Sequence, residues 1–473
     1  MTPTSPTPSR AQTAASAQKS VILIASVAAL AGFLFGYDSA VINGATEAIR
    51  NQFNVDAAPL GFAVASALVG AAFGAFTGGS LADKLGRIPV MKIAALLFFI
   101  SAVGSGLAPG IYTLIIFRII GGIGMGVASV IAPAYIAEIA PANIRGRLGS
   151  LQQFAIVIGI FLSQLVNKIL ADVAGGSGEM LWFNMGAWRW MLLVEAIPAF
   201  AYLVGAYLIP ESPRYLVAAG KTEAARKVLE RVLESSQVDS SLDRIKESLS
   251  RETKPSIRDI RGTAWGLKPI VWVGIALAVF QQFVGINVVF YYSNTLWQSV
   301  GFTEEQSFIF SLISATINVT ITIVAILLVD RLGRRPLLLT GSAGMAVTLG
   351  TMAVIFAMAP VGADGPILSS STGLIALVSA NLFVVFFGVS WGPVMWVMLG
   401  EMFPNKIRGA ALAVAGFAQW FANFLVTQTF PSLAEFSLGL AYGLYAMFAL
   451  LSLFFVLKFV SETRGVELED MTE

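Results

Sequence analysis

LADKLGRIP, residues 81–89, returns as LVDRLGRRP at residues 328–336. Each copy closes the second long apolar run of its half of the chain. A second phrase behaves alike: YIAEIAPANIRG at 135–146 returns as MLGEMFPNKIRG at 398–409, and the interval from Glu138 to Arg145 equals that from Glu401 to Arg408. A third echo, PESPR at 210–214 and SETRG at 461–465, follows the last apolar run of each half. Two similar six-helix halves in parallel orientation imply a two-lobed architecture with a binding site at the lobe interface near the membrane midplane. Repetition for stability alone leaves unexplained why the echoes gather at one end of the helices.

The composition agrees. Of 473 residues, 56% are hydrophobic and 12% charged, against roughly 25% charged in soluble domains. Mean hydropathy is +0.77. The formal charge of +2 is too small to point to nucleic acid, and the absence of Cys and His removes disulfides, thiolate nucleophiles and the commonest zinc ligands. No metal or cofactor is expected. A hydrocarbon core of about 30 Å takes about 20 apolar residues in a helix. Segments near 21–47, 57–82, 90–108, 111–137, 148–170 and 187–209 qualify, as do 266–298, 303–329, 335–359, 371–402, 408–430 and 438–460. The reading is an all-α membrane protein of about twelve spans in two pseudo-symmetric six-helix lobes, 21–210 and 263–460. Residues 1–20, rich in Pro, Ser, Thr and Ala, are expected to be disordered, and 461–473 form a tail.

Loop charge orients the spans. Lys84, Arg87 and Lys92, Arg145 and Arg147, Arg331, Arg334 and Arg335, and Lys406 and Arg408 follow the second, fourth, eighth and tenth runs, while the intervening loops hold few basic residues. By the positive-inside rule both termini are expected in the cytoplasm. An insert at 211–262 carries KTEAARKVLERVLESS, with apolar residues at helical spacing between charges, and reads as amphipathic helices on the cytoplasmic face.

Asp38 interrupts the first run in GFLFGYDSAVING, residues 32–44. A charge at the bilayer centre costs at least about 2.5–3.5 kcal/mol, so it needs a partner or a proton. Arg118, inside the fourth run in FRIIGGIGMG, is the basic residue available, and we expect the two to meet within the first lobe. A static buried pair is the plain alternative to a switch in which protonated Asp38 releases Arg118. A second polar set lies in the seventh run: Gln281, Gln282 and Asn287, then Tyr291 and Tyr292. Amides both donate and accept, which suits an uncharged ligand with many hydroxyls. Successive residues of an ideal helix differ by about 100°, so presenting all three amides to one cavity asks for a break, expected around Gly285. Gln153, Asn318, Trp396, Gln419, Trp420 and Asn423 complete the polar and aromatic stripe; amides that merely join helices are the alternative for any one of them. GGIGMG within an apolar run, AGKT at 219–222 and NVT at 318–320 match nucleotide-loop and glycosylation patterns only superficially.

D[RK]xGRR, RIIGGIGMG, PESPRYL, QQFVGINVVFYYS and SETRGVELE together resemble the major facilitator superfamily, and more closely its sugar porter family, with the closest likeness to bacterial glucose permeases. The resemblance runs from about Gly32 to the SETRG tail. Ile88, Ile326 and Ser461 depart from the family's motifs. The resemblance implies secondary transport of a monosaccharide, first D-glucose, by proton symport into the cell across the cell membrane, with the protein as a monomer and H⁺ as coupling ion. A facilitative uniporter, or a symporter for xylose, galactose or myo-inositol, is the alternative. In that family the residues matching Asp38 and Arg118 are linked to proton coupling. Those matching Gln153, Gln281, Gln282, Asn287, Asn318, Gly392, Trp396 and Asn423 line the sugar site, and Gln419 and Trp420 contribute to it or border it. Tyr291 and Tyr292 are assigned to gating. So are cytoplasmic salt bridges among Asp83, Arg87, Glu138 and Arg145, and among Asp330, Arg334, Glu401 and Arg408, with Glu211 and Arg214 joining them. In the family such bridges hold the outward-facing state and break on inward opening.

Overall fold

A computed structural model of the chain describes residues 10–141, 144–233, 235–251, 257–362 and 365–463. The first half forms α1 (Arg10–Phe53), α2 (Ala57–Leu85), α3 (Arg87–Gly106), α4 (Ile111–Ile139), α5 (Arg145–Ala174) and the consecutive α6 (Ala187–Leu193) and α7 (Ala196–Leu208). The short α8 (Pro213–Ala218), α9 (Thr222–Val232) and α10 (Ser235–Arg251) follow. The second half forms α11 (Pro269–Phe283), α12 (Ile286–Tyr291) and α13 (Ser293–Ser299), then α14 (Glu304–Leu332), α15 (Arg334–Met358), α16 (Ser370–Val389), α17 (Trp391–Met402), α18 (Asn405–Phe436) and α19 (Leu438–Phe459). Among the described residues, twelve helical stretches are long and apolar enough to cross a membrane. The described chain is helical from Arg10, where AQTAASAQK is rich in the strong helix former alanine.

Between membrane helices lipid supplies no hydrophobic contrast, so close packing holds them together. The seam between α2 and α4 is made of small residues: a Cβ on Gly122 would stand 1.9 Å from the Ala67 carbonyl oxygen, and one on Gly126 2.0 Å from that of Ala71. The two motif copies share one local reason for their glycine. Gly86 (φ 101°) and Gly333 (φ 88°) end α2 and α14 in a conformation that costs L side chains, and a Cβ on either would strike the carboxylate of Glu211 or Glu462.

We call the end carrying the N terminus and α8–α10 the near end, and the opposite one the far end. Two buried apolar clusters divide the molecule. One joins the far part of the first half, with Val41, Ala45, Leu60 and Val64, to the second half along its length, from Leu337, Phe403 and Val460 to Val289, Tyr292 and Phe430. The other belongs to the near part of the first half and takes in Ala225, Val228, Leu229 and Leu242 of α9 and α10 beside Val21 and Ile24 of α1. The amphipathic helices therefore pack on the first half.

Candidate functional site

Gly285 adopts φ 82°, which stops α11 and starts α12 in a new direction, and Tyr292 separates α12 from α13. The break lets the three amides meet. Asn287 Nδ2 donates to Gln282 Oε1 (2.6 Å), and Gln282 Nε2 donates to Gln281 Oε1 (3.1 Å). Gln419 Nε2 of α18 donates to the same Gln281 oxygen (2.7 Å). Gln281 Nε2 donates to the carbonyls of Trp391 (2.9 Å) and Gly392 (3.3 Å), which lie just past the interruption of α16 and α17 at Ser390. Four amides from two spans and the backbone of a third thus form one ladder. Asn423, one turn beyond Gln419, accepts from Thr427 Oγ1 (3.1 Å) and faces the Tyr291 hydroxyl, which also faces Ser39 of α1. Trp420 packs on Phe35 of α1 with ring centroids 5.9 Å apart, a contact between the halves. Tyr292 OH donates to the Thr427 carbonyl (2.9 Å). Asn318 is buried on α14 but no hydrogen bond joins it to the ladder, and Gln153 and Trp396 are exposed and likewise outside it.

In the first half Asp38 and Arg118 meet as expected: Arg118 Nη1 donates to Asp38 Oδ1 and to its carbonyl, both at 3.2 Å, and Nη2 to the Val64 carbonyl (3.5 Å). Both side chains are 3% exposed. A third member escaped the sequence reading. Glu195, at the junction of α6 and α7, is 1% exposed and its carboxyl lies beside that of Asp38, within the field of Arg118. Asp38 Oδ2 and Glu195 Oε1 accept no hydrogen bond. One guanidinium balances one carboxylate, so the buried trio is neutral when the two acids hold one proton between them. The signal was present in MLLVEAIPAF, where Glu195 interrupts the sixth run as Asp38 interrupts the first.

A polar clasp also joins the halves towards the far end. Asn43 Nδ2 of α1 donates to Gln164 (3.0 Å) and to Ser311 Oγ of α14 (3.2 Å), while its Oδ1 accepts from the backbone N of Asn294 at the start of α13 (3.0 Å). Ser311 Oγ donates to Asn294 Oδ1 (2.7 Å). Arg50 pairs with Glu435 at the rim, and Gln428 Nε2 of α18 donates to the Ala58 carbonyl of α2 (3.1 Å).

At the near end the repeated motifs form twin clamps. Arg87 grips Glu138 through two nitrogens (3.0 and 2.9 Å) and touches Asp83 (3.3 Å); Arg334 grips Glu401 likewise (3.1 and 2.8 Å). Glu211 accepts the backbone N–H groups of Arg87 and Ile88 (3.0 and 3.1 Å), and Glu462 those of Arg334 and Arg335 (both 3.0 Å). Glu462 was visible in the third echo. The clamps named here lie within one half each, so they brace helix ends inside a lobe. The expected ion pair of Arg408 is not found among the described residues: its Nε donates to the Phe403 carbonyl (3.2 Å). Arg214 donates to Ser248 (3.2 Å). The side chains of Arg145 and Asp330 lie outside the described residues.

Residues 24–473 match the family described as sugar (and other) transporter. The chain belongs to that family. A glucose transport protein of Synechocystis sp. is 54% identical over 96% of this chain and 97% of its own. The D-xylose-proton symporter of Escherichia coli K12 is 40% identical over 95% of each. The inward open conformation of the xylose transporter XylE from E. coli has a TM-score of 0.81 at 39% identity, covering 95% of this chain and 99% of that one. The same symporter bound to 6-bromo-6-deoxy-D-glucose has a TM-score of 0.76 at 40% identity, covering 96% and 98%. This sugar-transporter chain is thus similar in sequence to transporters of hexose and pentose, and in shape it is nearer to the inward open form of the two.

Proposed function

We propose that the protein imports a monosaccharide, D-glucose first, together with a proton across the cell membrane by alternating access, with the near end and both termini in the cytoplasm. The observation that carries the reading is the pairing of two sites: an amide ladder in the second half and a buried acid–acid–arginine trio in the first, linked across the midplane by Tyr291 against Ser39 and Trp420 against Phe35. The names of the glucose and xylose–proton relatives support it.

Sugar hydroxyls would exchange places with the bonds that the amides now make to one another, so the site keeps its polar groups satisfied when empty. Gln281, Gln282, Asn287 and Gln419 are its centre, Gly392 lends its carbonyl, and Asn423, Asn318, Gln153, Trp396 and Trp420 border it. A proton delivered to Asp38 weakens its hold on Arg118 and favours the other arrangement of the halves. Asn43, Tyr291 and Tyr292 belong to the extracellular gate, and the clamps of Arg87 and Arg334 keep each half rigid at the cytoplasmic face. Residues 21–210 and 263–460 are the two moving lobes, and the protein works as a monomer without cofactor.

The test is uptake of labelled D-glucose by the purified chain in liposomes with an acidic exterior. At one proton per sugar, each pH unit of gradient is about 1.4 kcal/mol and drives roughly tenfold accumulation. Equilibration without accumulation overturns symport and leaves a uniporter. Competition by xylose, galactose and myo-inositol ranks the substrates, and stronger competition by any of them displaces glucose.

A further inference from the structure

Among the described residues four that are not glycine have positive φ: Asn54, Phe183, Asn184 and Trp265. Asparagine tolerates this region because its short amide can bond locally, whereas a bulky ring there is strained. Phe183 (φ 56°) and Trp265 (φ 54°) are nevertheless the most exposed large apolar residues described, at 87% and 95%. Each sits in a turn that leads directly into a span, Phe183 into α6 at the far end and Trp265 into α11 at the near end.

Neither turn is loose. Around Phe183, Leu181 N donates to the Met185 carbonyl (2.8 Å) and Ala187 N to that of Glu179 (2.9 Å). Around Trp265, Lys268 N donates to the carbonyl of the fully buried Ile260 (3.0 Å), and Gly262 N to that of Gly266 (3.3 Å). The same brace secures both. Trp190 Nε1 donates to the Trp182 carbonyl (3.1 Å) and Trp272 Nε1 to the Ala264 carbonyl (2.8 Å), in each case an indole from the start of the following span reaching eight residues back to the residue before the strained ring. Trp182 also packs edge-on against Trp190, with centroids 5.5 Å apart. The fold therefore spends backbone strain to point a ring away from itself, twice, at opposite ends of the bundle and next to surface that is already apolar and span-facing.

Indole and phenyl rings gain most where one side is hydrocarbon and the other wet, which is the headgroup layer of a bilayer. We propose that the turns at 181–185 and 261–267 are membrane-interface anchors, one in each leaflet, seating Phe183 and Trp265 at the boundary between lipid headgroups and acyl chains. Each fixes the depth at which a functional span begins: α6 leads to Glu195, and α11 to Gln281 and Gln282. Interfacial aromatic groups set span tilt and depth in this way.

The chain has no cysteine, so single-cysteine variants need no background changes. Phe183→Cys, Trp265→Cys and, as control on α10, Lys246→Cys are spin-labelled in the full chain and reconstituted into phosphatidylcholine–phosphatidylglycerol liposomes. Labels at 183 and 265 should be about threefold or more less accessible to an aqueous nickel chelate than the label at 246, and more accessible to oxygen. Because the label replaces the ring, tryptophan fluorescence is read in parallel with lipids brominated near the headgroup. Trp265→Phe should lose a share of the quenching that Lys246→Ala retains. Labels at 183 and 265 as open to the chelate as that at 246, or quenching untouched by Trp265→Phe, overturns the proposal and assigns these rings to water or to another protein.

Discussion

Replacing Asn43 by alanine should open the far end of the bundle. Its side chain makes two bonds to the other half, one given to Ser311 Oγ and one taken from the backbone N of Asn294, and a third within its own half to Gln164. Side-chain bonds between membrane helices average about 0.6 kcal/mol, and net values of about 0.5–1.5 kcal/mol are usual elsewhere. Alanine also strands the Asn294 amide, but only while the halves are together, because on separation water reaches it. The loss falls on the closed arrangement alone and sums to about 2 kcal/mol, a roughly thirtyfold shift towards opening. Spin labels on cysteines at Asn51 of α1 and Ser432 of α18, both exposed and on opposite halves, report the change as a pulsed-EPR distance distribution. The parent chain should give mainly a short distance and Asn43→Ala a dominant longer one. An unaltered distribution in a folded variant would refute the idea that this clasp sets the balance between arrangements.

Three further outcomes are expected. Asp38→Asn should retain sugar exchange in counterflow and lose uphill accumulation under a pH gradient; accumulation that persists would leave the buried pair a static one. Gln281→Ala removes the junction of the ladder, and loss of one or two bonds to sugar should raise the uptake KM about 10- to 100-fold with a smaller effect on thermal stability. Gly122→Val should lower the midpoint of thermal unfolding in detergent sharply, since its Cβ meets a backbone carbonyl at 1.9 Å, where overpacking alone commonly costs about 1–3 kcal/mol; Gly79→Ala, with open space around it, should leave the midpoint nearly unchanged.

The spans were legible because a membrane helix must be apolar along its whole length, a signal no soluble helix gives so plainly. The two halves were legible through Gly86 and Gly333, since a left-handed turn beside a carboxylate leaves little choice of residue. The pairing of Asp38 with Arg118 followed from the cost of leaving either alone. Glu195 was missed although the same cost applies to it, because a pair already looked complete and nothing in sequence reveals that a third charge shares the pocket. Asn43 was missed for another reason: a single amide in a span is cheap enough to be unremarkable, and only folding brings Ser311 and Asn294 to it. Arg408 is expected to pair with a carboxylate; among the described residues its Nε donates to the Phe403 carbonyl and its Nη2 is buried without a hydrogen-bond partner.

The second half is interrupted at Gly285, Tyr292 and Ser390, and the first, among the described residues, at the one junction of α6 and α7 where Glu195 sits, whereas α1 to α5 run unbroken. The molecule is consequently lopsided in its mechanics: the half that holds the buried trio has one joint, and the half that holds the amide ladder has three. In the proposed cycle, news of a proton would travel from the first part to the second, and the places where Ser39 faces Tyr291 and Phe35 touches Trp420 are the narrow bridges for it. Loosening those bridges would leave both devices working and out of step.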